Sequence, residues 1–153
     1  MKEYVLKYET GHINTAPMGF HLYAQKFLEA APPSSARYSP VPFYCVCRAI
    51  ELALKSFLSA RGIPVKKLKT LGHDLQALLQ TASAQGIADH CSFSDVEKAE
   101  LLKANTYYSD KGFEYFQLRF AMRDVPPLPN LDTLKSMTQS LLGSIHQLAL
   151  DAT

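Results

Sequence analysis

Long apolar runs are missing from this chain. None approaches the roughly 18 residues that a membrane-spanning helix requires, so no membrane partner is expected. Net charge is small as well, +2 over 153 residues, too little to argue for nucleic acid by itself. Cysteine is sparse and odd in number, at 45, 47 and 91. Cys45 and Cys47 sit two apart on what reads as a helix, so they point about 200° away from each other and cannot easily bridge. Such a set reads as reduced, buried thiols. The histidines, at 12, 21, 73, 90 and 146, show no ligand spacing. Cys45-Val46-Cys47 lacks the two-residue gap of a zinc knuckle. No metal and no cofactor is therefore expected. There is no Gly-rich phosphate loop, no GxSxG elbow and no repeat of fixed period. The first residues, MKEYVLKYETG, carry charges where a secretory signal needs an apolar core, so a cytoplasmic location is expected.

What is present is an ordinary globular composition, 47% hydrophobic and 20% charged, of a length that suits one domain over 1–153. The organising stretch runs from Pro42 to Leu79. Stepping about 100° per residue from Ile50, Phe43, Val46, Cys47, Ile50, Ala53, Leu54, Phe57 and Leu58 share one broad face. A second stripe, Cys45, Ala49, Leu52, Ser56 and Ala60, is small or apolar. Only Tyr44, Arg48, Glu51, Lys55 and Ser59 make a polar stripe. A helix apolar around most of its girth is central, so 42–61 is the expected spine of an all-α, up-and-down bundle of four to five helices. Gly62 supplies a left-handed cap, Ile63 folds back on Leu58, and Pro64 forbids continuation.

The remaining elements follow from period and punctuation. Helical spacing of Phe20, Ala24, Phe27, Leu28 and Ala31 predicts a helix over 17–31, with Pro17 in its first turn. APPSSARYSPVP, with four prolines in twelve residues, breaks the chain. Lys66, Lys67 and Lys69 mark a basic turn. A helix is expected over 73–85, facing Leu75, Leu78, Leu79 and Ala82 inward, with Asp74 in its first turn. Ser94-Asp95-Val96-Glu97 is a capping box for a helix over 95–109. Asn130 caps a last helix with Leu131, Leu134, Thr138, Leu141, Leu142, Ile145, Leu148 and Ala149 on its apolar face. Residues 113–123 alternate with period two, a strand signature, and pair with the N-terminal arm in an expected short β-hairpin.

Three features carry possible chemistry. Arg48, Glu51 and Lys55 are spaced i, i+3 and i+7 along one stripe. Their ordinary role is a solvated surface ladder, in which Glu51→Ala costs little; the functional alternative is a polar cleft that holds an anion. His73, in Gly72-His73-Asp74, reads as a capping residue, or else as an imidazole oriented for acid–base work. Lys66, Lys67, Lys69 and Arg61, with Tyr107, Tyr108, Tyr115, Phe116 and Arg119 further on, mix basic and aromatic groups as single-stranded nucleic-acid binders do. The expected role of that set is a solvated loop plus packing aromatics.

The runs AIELALKSFLSARG and LKTLGHDLQALL, followed by an aromatic stretch ending in Arg119-Phe120, resemble the HEPN superfamily (higher eukaryotes and prokaryotes nucleotide-binding domain) over roughly 17–150. The resemblance implies a HEPN-like helical bundle and a homodimer. It also implies one of two roles. Some members are ribonucleases of toxin and defence systems. Others are non-catalytic modules that bind nucleotides or accompany a nucleotidyltransferase or toxin partner. The ribonucleases carry an Arg about five to seven residues before a His as an acid–base set on a late helix. No arginine here, at 37, 48, 61, 119 or 123, is followed by a histidine at that spacing. The expectation is thus a non-catalytic binding or assembly module for a nucleotide, RNA or a protein partner, with Arg48, Glu51, Lys55, His73 and Arg119 as its ligand-binding candidates. A divergent metal-independent ribonuclease using His73 with Lys55, Lys67 or Arg119 is the alternative.

Overall fold

The computed structural model describes residues 15–115 and 126–153. Among them the chain is all α-helical, with no strand. The helices are α1 (Pro17–Ala30), α2 (Pro40–Ala60), α3 (Val65–Leu71), α4 (Leu75–Ala84), α5 (Asp95–Tyr108) and α6 (Leu131–Asp151), with a short 3₁₀ turn at Ile87–Asp89. The count exceeds the expected four to five because the basic segment after Pro64 is itself helical. Pro64 cannot extend the preceding helix, but as the cap of α3 its carbonyl accepts from Lys67 and Leu68, and Leu68 is buried while the three lysines stay exposed.

The spine is as expected, and more enclosed. α2 touches every other helix, and every residue from Ala49 to Leu58 is buried, polar ones included. Apolar side chains from all six helices join one core around it. The small stripe lets α1 come close: Ser56 Oγ donates to the carbonyl of Pro17 at 2.8 Å, beside the buried Gly19 and Ala24. α2 begins two residues earlier than its apolar pattern indicates, since Ser39 caps it by accepting from Val41 N and Pro40 needs no amide partner at the first helical position. It ends on Gly62 at φ 86°, with Ile63 N donating to Leu58 O at 3.0 Å, the left-handed stop anticipated.

Sequence signals and structure agree on the other caps. Ser94 and Glu97 exchange both capping-box bonds, and Asn130 accepts from Thr133 N. Asp74 differs. It is the N-cap of α4, accepting from Ala77 N, so α4 starts at Leu75 rather than at His73. The strand expected over 113–123 is a turn at residues 113–115. Glu114 N and Tyr115 N both bond back to Lys111 O, and the Phe113 ring stacks on both Phe43 and Tyr107. Aromatic packing, not strand pairing, fixes this segment. The rest of that stretch and the N-terminal arm, and with them the expected hairpin, lie outside the described residues.

The three cysteines are free, with Cys47 and Cys91 buried and Cys45 half-buried. Burial pushes the Cys47 thiol well above its ordinary range, so it packs as an inert apolar group. Among the described residues, no helix is long and apolar enough to cross a membrane.

The enclosure of α2 leads to a clear expectation. Ile50 is wholly buried, and an aspartate there would place an unpaired carboxylate among apolar groups. Ile50→Asp is expected to cost at least about 4 kcal/mol, read from urea unfolding; a cost below about 1 kcal/mol would show that α2 is not the spine.

Candidate functional site

The polar stripe of α2 does not face water. The Glu51 side chain is 1% exposed and Lys55 11%, because α2 has neighbours on its polar side as well. This overturns the solvated-ladder expectation. A carboxylate in such surroundings must be paired and hydrogen-bonded to remain charged, and Glu51 is surrounded by donors.

Its Oε1 accepts from Lys55 Nζ at 2.6 Å and from Arg48 Nη1 at 3.0 Å. Its Oε2 accepts from Arg48 Nη1 at 3.1 Å, His73 Nδ1 at 2.9 Å and Tyr108 O–H at 2.5 Å. Arg48 and Lys55 reach it from one turn before and one turn after on the same helix. His73 arrives from the α3–α4 junction, and Tyr108 from the last residue of α5. Burial pushes the Glu51 carboxyl upward, but Arg48, Lys55 and the hydrogen bonds from His73 and Lys55 outweigh it and hold the group below the ordinary carboxylate range. Burial and the Glu51 charge push Tyr108 far above the usual phenol range, so it stays a donor. Since an ionised carboxylate only accepts, the proton on His73 sits on Nδ1. Its Nε2 makes no hydrogen bond among the described residues.

Two features hold the distant donors in place. Gly72, at φ 57° and ψ −128°, turns the chain between α3 and α4 through a conformation that side-chain-bearing residues avoid. Asn105 then clamps the start of α4: its Nδ2 donates to Asp74 Oδ1 at 3.0 Å while its Oδ1 accepts from Leu75 N at 2.8 Å. Asn105 and Tyr108 are i and i+3 on α5, so one helix face anchors both sides of His73. The His73 ring also packs edge-on against Tyr108, 5.9 Å between centres.

The site opens outward on Arg48 and His73, whose side chains are 28% and 38% exposed. The Arg48 guanidinium stands 6.0 Å from the centre of the Phe27 ring, and the half-buried Tyr44 packs edge-on against Phe27 and tilted against Tyr108. Among the sequence candidates, then, Arg48, Glu51, Lys55 and His73 meet at a single carboxylate. Arg119 lies outside the described residues. His73 is not a helix cap, because Asp74 takes that position and the imidazole turns to Glu51 instead. Tyr108 was visible in the sequence only as one aromatic near a basic segment. Its helical spacing from Leu101, Ala104 and Asn105, all buried on α5, is the available signal. Lys66, Lys67 and Lys69 are solvated as expected, and Tyr107 and Tyr108 pack in the core.

Among the described residues, no group of three or more His, Cys, Asp or Glu side chains is arranged to hold a metal ion. Compared with family models, with curated proteins and with solved structures, the chain finds no match.

Because Glu51 is desolvated beneath two cations, Glu51→Gln is expected to destabilise by about 3–5 kcal/mol, and Tyr108→Phe by about 1.5–3 kcal/mol; near-neutral values in urea unfolding would contradict the geometry. The depressed carboxyl also sets a pH window. Stability from Glu51 is present above the unfolded-state pKa of about 4.3 and is lost as pH falls below it toward the lower folded value. Urea midpoints measured from pH 6 down to pH 3 are expected to fall less steeply in Glu51→Gln than in the wild type, about a single carboxylate's worth.

Proposed function

We propose that the chain is a non-catalytic, HEPN-like helical module that binds a phosphate-bearing ligand, a nucleotide or single-stranded RNA, on the surface above Glu51. The observation that carries this reading is the pinning of a part-exposed guanidinium and a part-exposed imidazole to one buried carboxylate. Arg48 and Lys55 supply two positive charges against the single negative charge of Glu51, so the cluster retains an excess of one. Ordering these donors beforehand lowers the entropic cost of gripping an anion. The rings of Phe27 and Tyr44 beside Arg48 offer a face for a base. The resemblance in the segment 44–79 supports the same class. A homodimer fits that class, and a nucleotidyltransferase or toxin is the protein partner it would accompany.

The alternative reading is a divergent metal-independent ribonuclease, and one observation favours it. Glu51 accepts the Nδ1 proton of His73, which leaves Nε2 pointing its lone pair away from the carboxylate, the arrangement of a general base oriented by an acid residue. Arg48 would then face the phosphate whose charge grows as a 2′-hydroxyl attacks.

Fluorescence anisotropy with labelled single-stranded RNA, and calorimetry with ATP, test the first reading. Binding is expected to weaken with salt, and Arg48→Lys, which keeps the charge on Glu51 but loses the planar fork, is expected to weaken it about tenfold. Absence of binding by the wild type to either probe at about millimolar concentration, far weaker than functional affinities, removes the proposal. The same RNA incubated with wild type and His73→Ala separates the readings: intact RNA in both supports the binding module, and cleavage lost in His73→Ala supports the enzyme.

A further inference from the structure

Apart from this cluster, a second set of polar groups lies between α1 and α6. His21 is a buried polar residue of the α1 core face, 3% exposed. Its Nε2 is 2.9 Å from the carbonyl oxygen of Leu142. A carbonyl can only accept, so the ring proton is on Nε2 and Nδ1 carries a lone pair. That Nδ1 is buried and has no hydrogen-bond partner among the described residues. A buried acceptor left without a donor is costly, and its presence in a native core calls for an explanation.

The surroundings supply one. The ring of His146, from α6, lies 5.0 Å from the His21 ring, centre to centre, with the planes at 68°. Both histidines line a groove of about 350 Å³ between α1 and α6, together with Gln25 and Gly143. The space beside Gly143 is open, since a methyl group built there would meet nothing within 4 Å. Gln25 is one turn after His21 on α1. Its amide nitrogen is committed to Glu29 at 2.9 Å, which turns its oxygen away from that carboxylate.

We infer that His21 Nδ1, an imidazole nitrogen of His146 and the amide oxygen of Gln25 form a binding site for a divalent cation of the zinc class, which would clip the first helix to the last. The hydrogen bond from His21 Nε2 to a backbone carbonyl is the orienting contact that metal-bound histidines usually make through their second nitrogen. Two imidazoles sharing a tetrahedral Zn²⁺, with Zn–N bonds of about 2.0–2.1 Å, hold their ring centres about 5 Å apart, the spacing already present here. Imidazole nitrogen is the donor that Zn²⁺, Ni²⁺ and Cu²⁺ favour. Burial lowers the His21 pKa, opposed by the Leu142 hydrogen bond and assisted by His146, so the ring is in the neutral form that a metal needs. Water completes the coordination from the groove. The two histidines come from opposite ends of the chain, which is why no ligand spacing links them in the sequence.

The test is calorimetric titration of the untagged chain with ZnCl₂. His146→Ala is the informative variant, because His146 is exposed and its loss leaves the core intact; His21→Ala also removes the bond to Leu142. His90→Ala, an imidazole outside the groove, is the control. The expected result is saturable binding of about one equivalent, weakened about tenfold or more in His146→Ala and unchanged in His90→Ala. Binding is also expected to weaken as pH falls and protons compete with the metal for the imidazole nitrogens. No saturable binding by the wild type, equal binding by His146→Ala, or equal loss in both variants overturns the inference.

Discussion

The structure depends on one carboxylate. Glu51 lies in the middle of the central helix, desolvated, with the chain packed around it on every side. A bare charge there would be untenable, so the fold must bring it partners. Arg48 and Lys55 come at no topological cost, since helical spacing places them one turn away. His73 and Tyr108 do not. They require the α3–α4 junction and the end of α5 to converge on the same oxygen of Glu51. The demand for satisfaction of a single buried group therefore joins three segments of the chain that hydrophobic packing alone would position only loosely.

That demand explains features that would otherwise look incidental. Gly72 takes a backbone conformation closed to other residues and turns His73 inward. Asn105 bonds the Asp74 cap and the Leu75 amide, locking α4 to α5 next to the carboxylate. Tyr108 is among the largest fully buried side chains of the molecule and is held with its hydroxyl on Glu51. The outcome is a cluster rigid at its centre and open at its rim, where Arg48 and His73 emerge beside the rings of Phe27 and Tyr44. Rigidity at the centre and a surplus positive charge are the properties expected of a site that grips an anion. The outward-facing nitrogen of His73 is what keeps an acid–base role in view.

Most of the helical framework was legible beforehand. The girdle of apolar residues from Phe43 to Leu58, the glycine at 62, the capping box at 94–97 and the proline at 17 each act through short-range geometry, and each stands where its chemistry places it. The basic segment at 65–71 reads as a turn because three lysines mask a single buried leucine, yet it is helical. α4 starts two residues later than its apolar pattern indicates because Asp74, and not His73, makes the capping bond. The alternation beginning at Phe113 imitates a strand, yet at residues 113–115 the rings of Phe43 and Tyr107 hold a turn.

The sequence by itself determined where five of the described helices lie, which face of α2 is apolar, and that Arg48, Glu51 and Lys55 share a stripe. Those properties rest on periods of a few residues, and local backbone geometry suffices to set them. Only the tertiary structure decided that the stripe is buried, that His73 and Tyr108 complete it, and that His21 meets His146. Burial depends on what packs against a helix, and contacts between distant segments have no period to read. The same three polar side chains on a solvated helix would be a weak surface ladder. Enclosed by α5 and the α3–α4 junction, they become the charged centre of the fold.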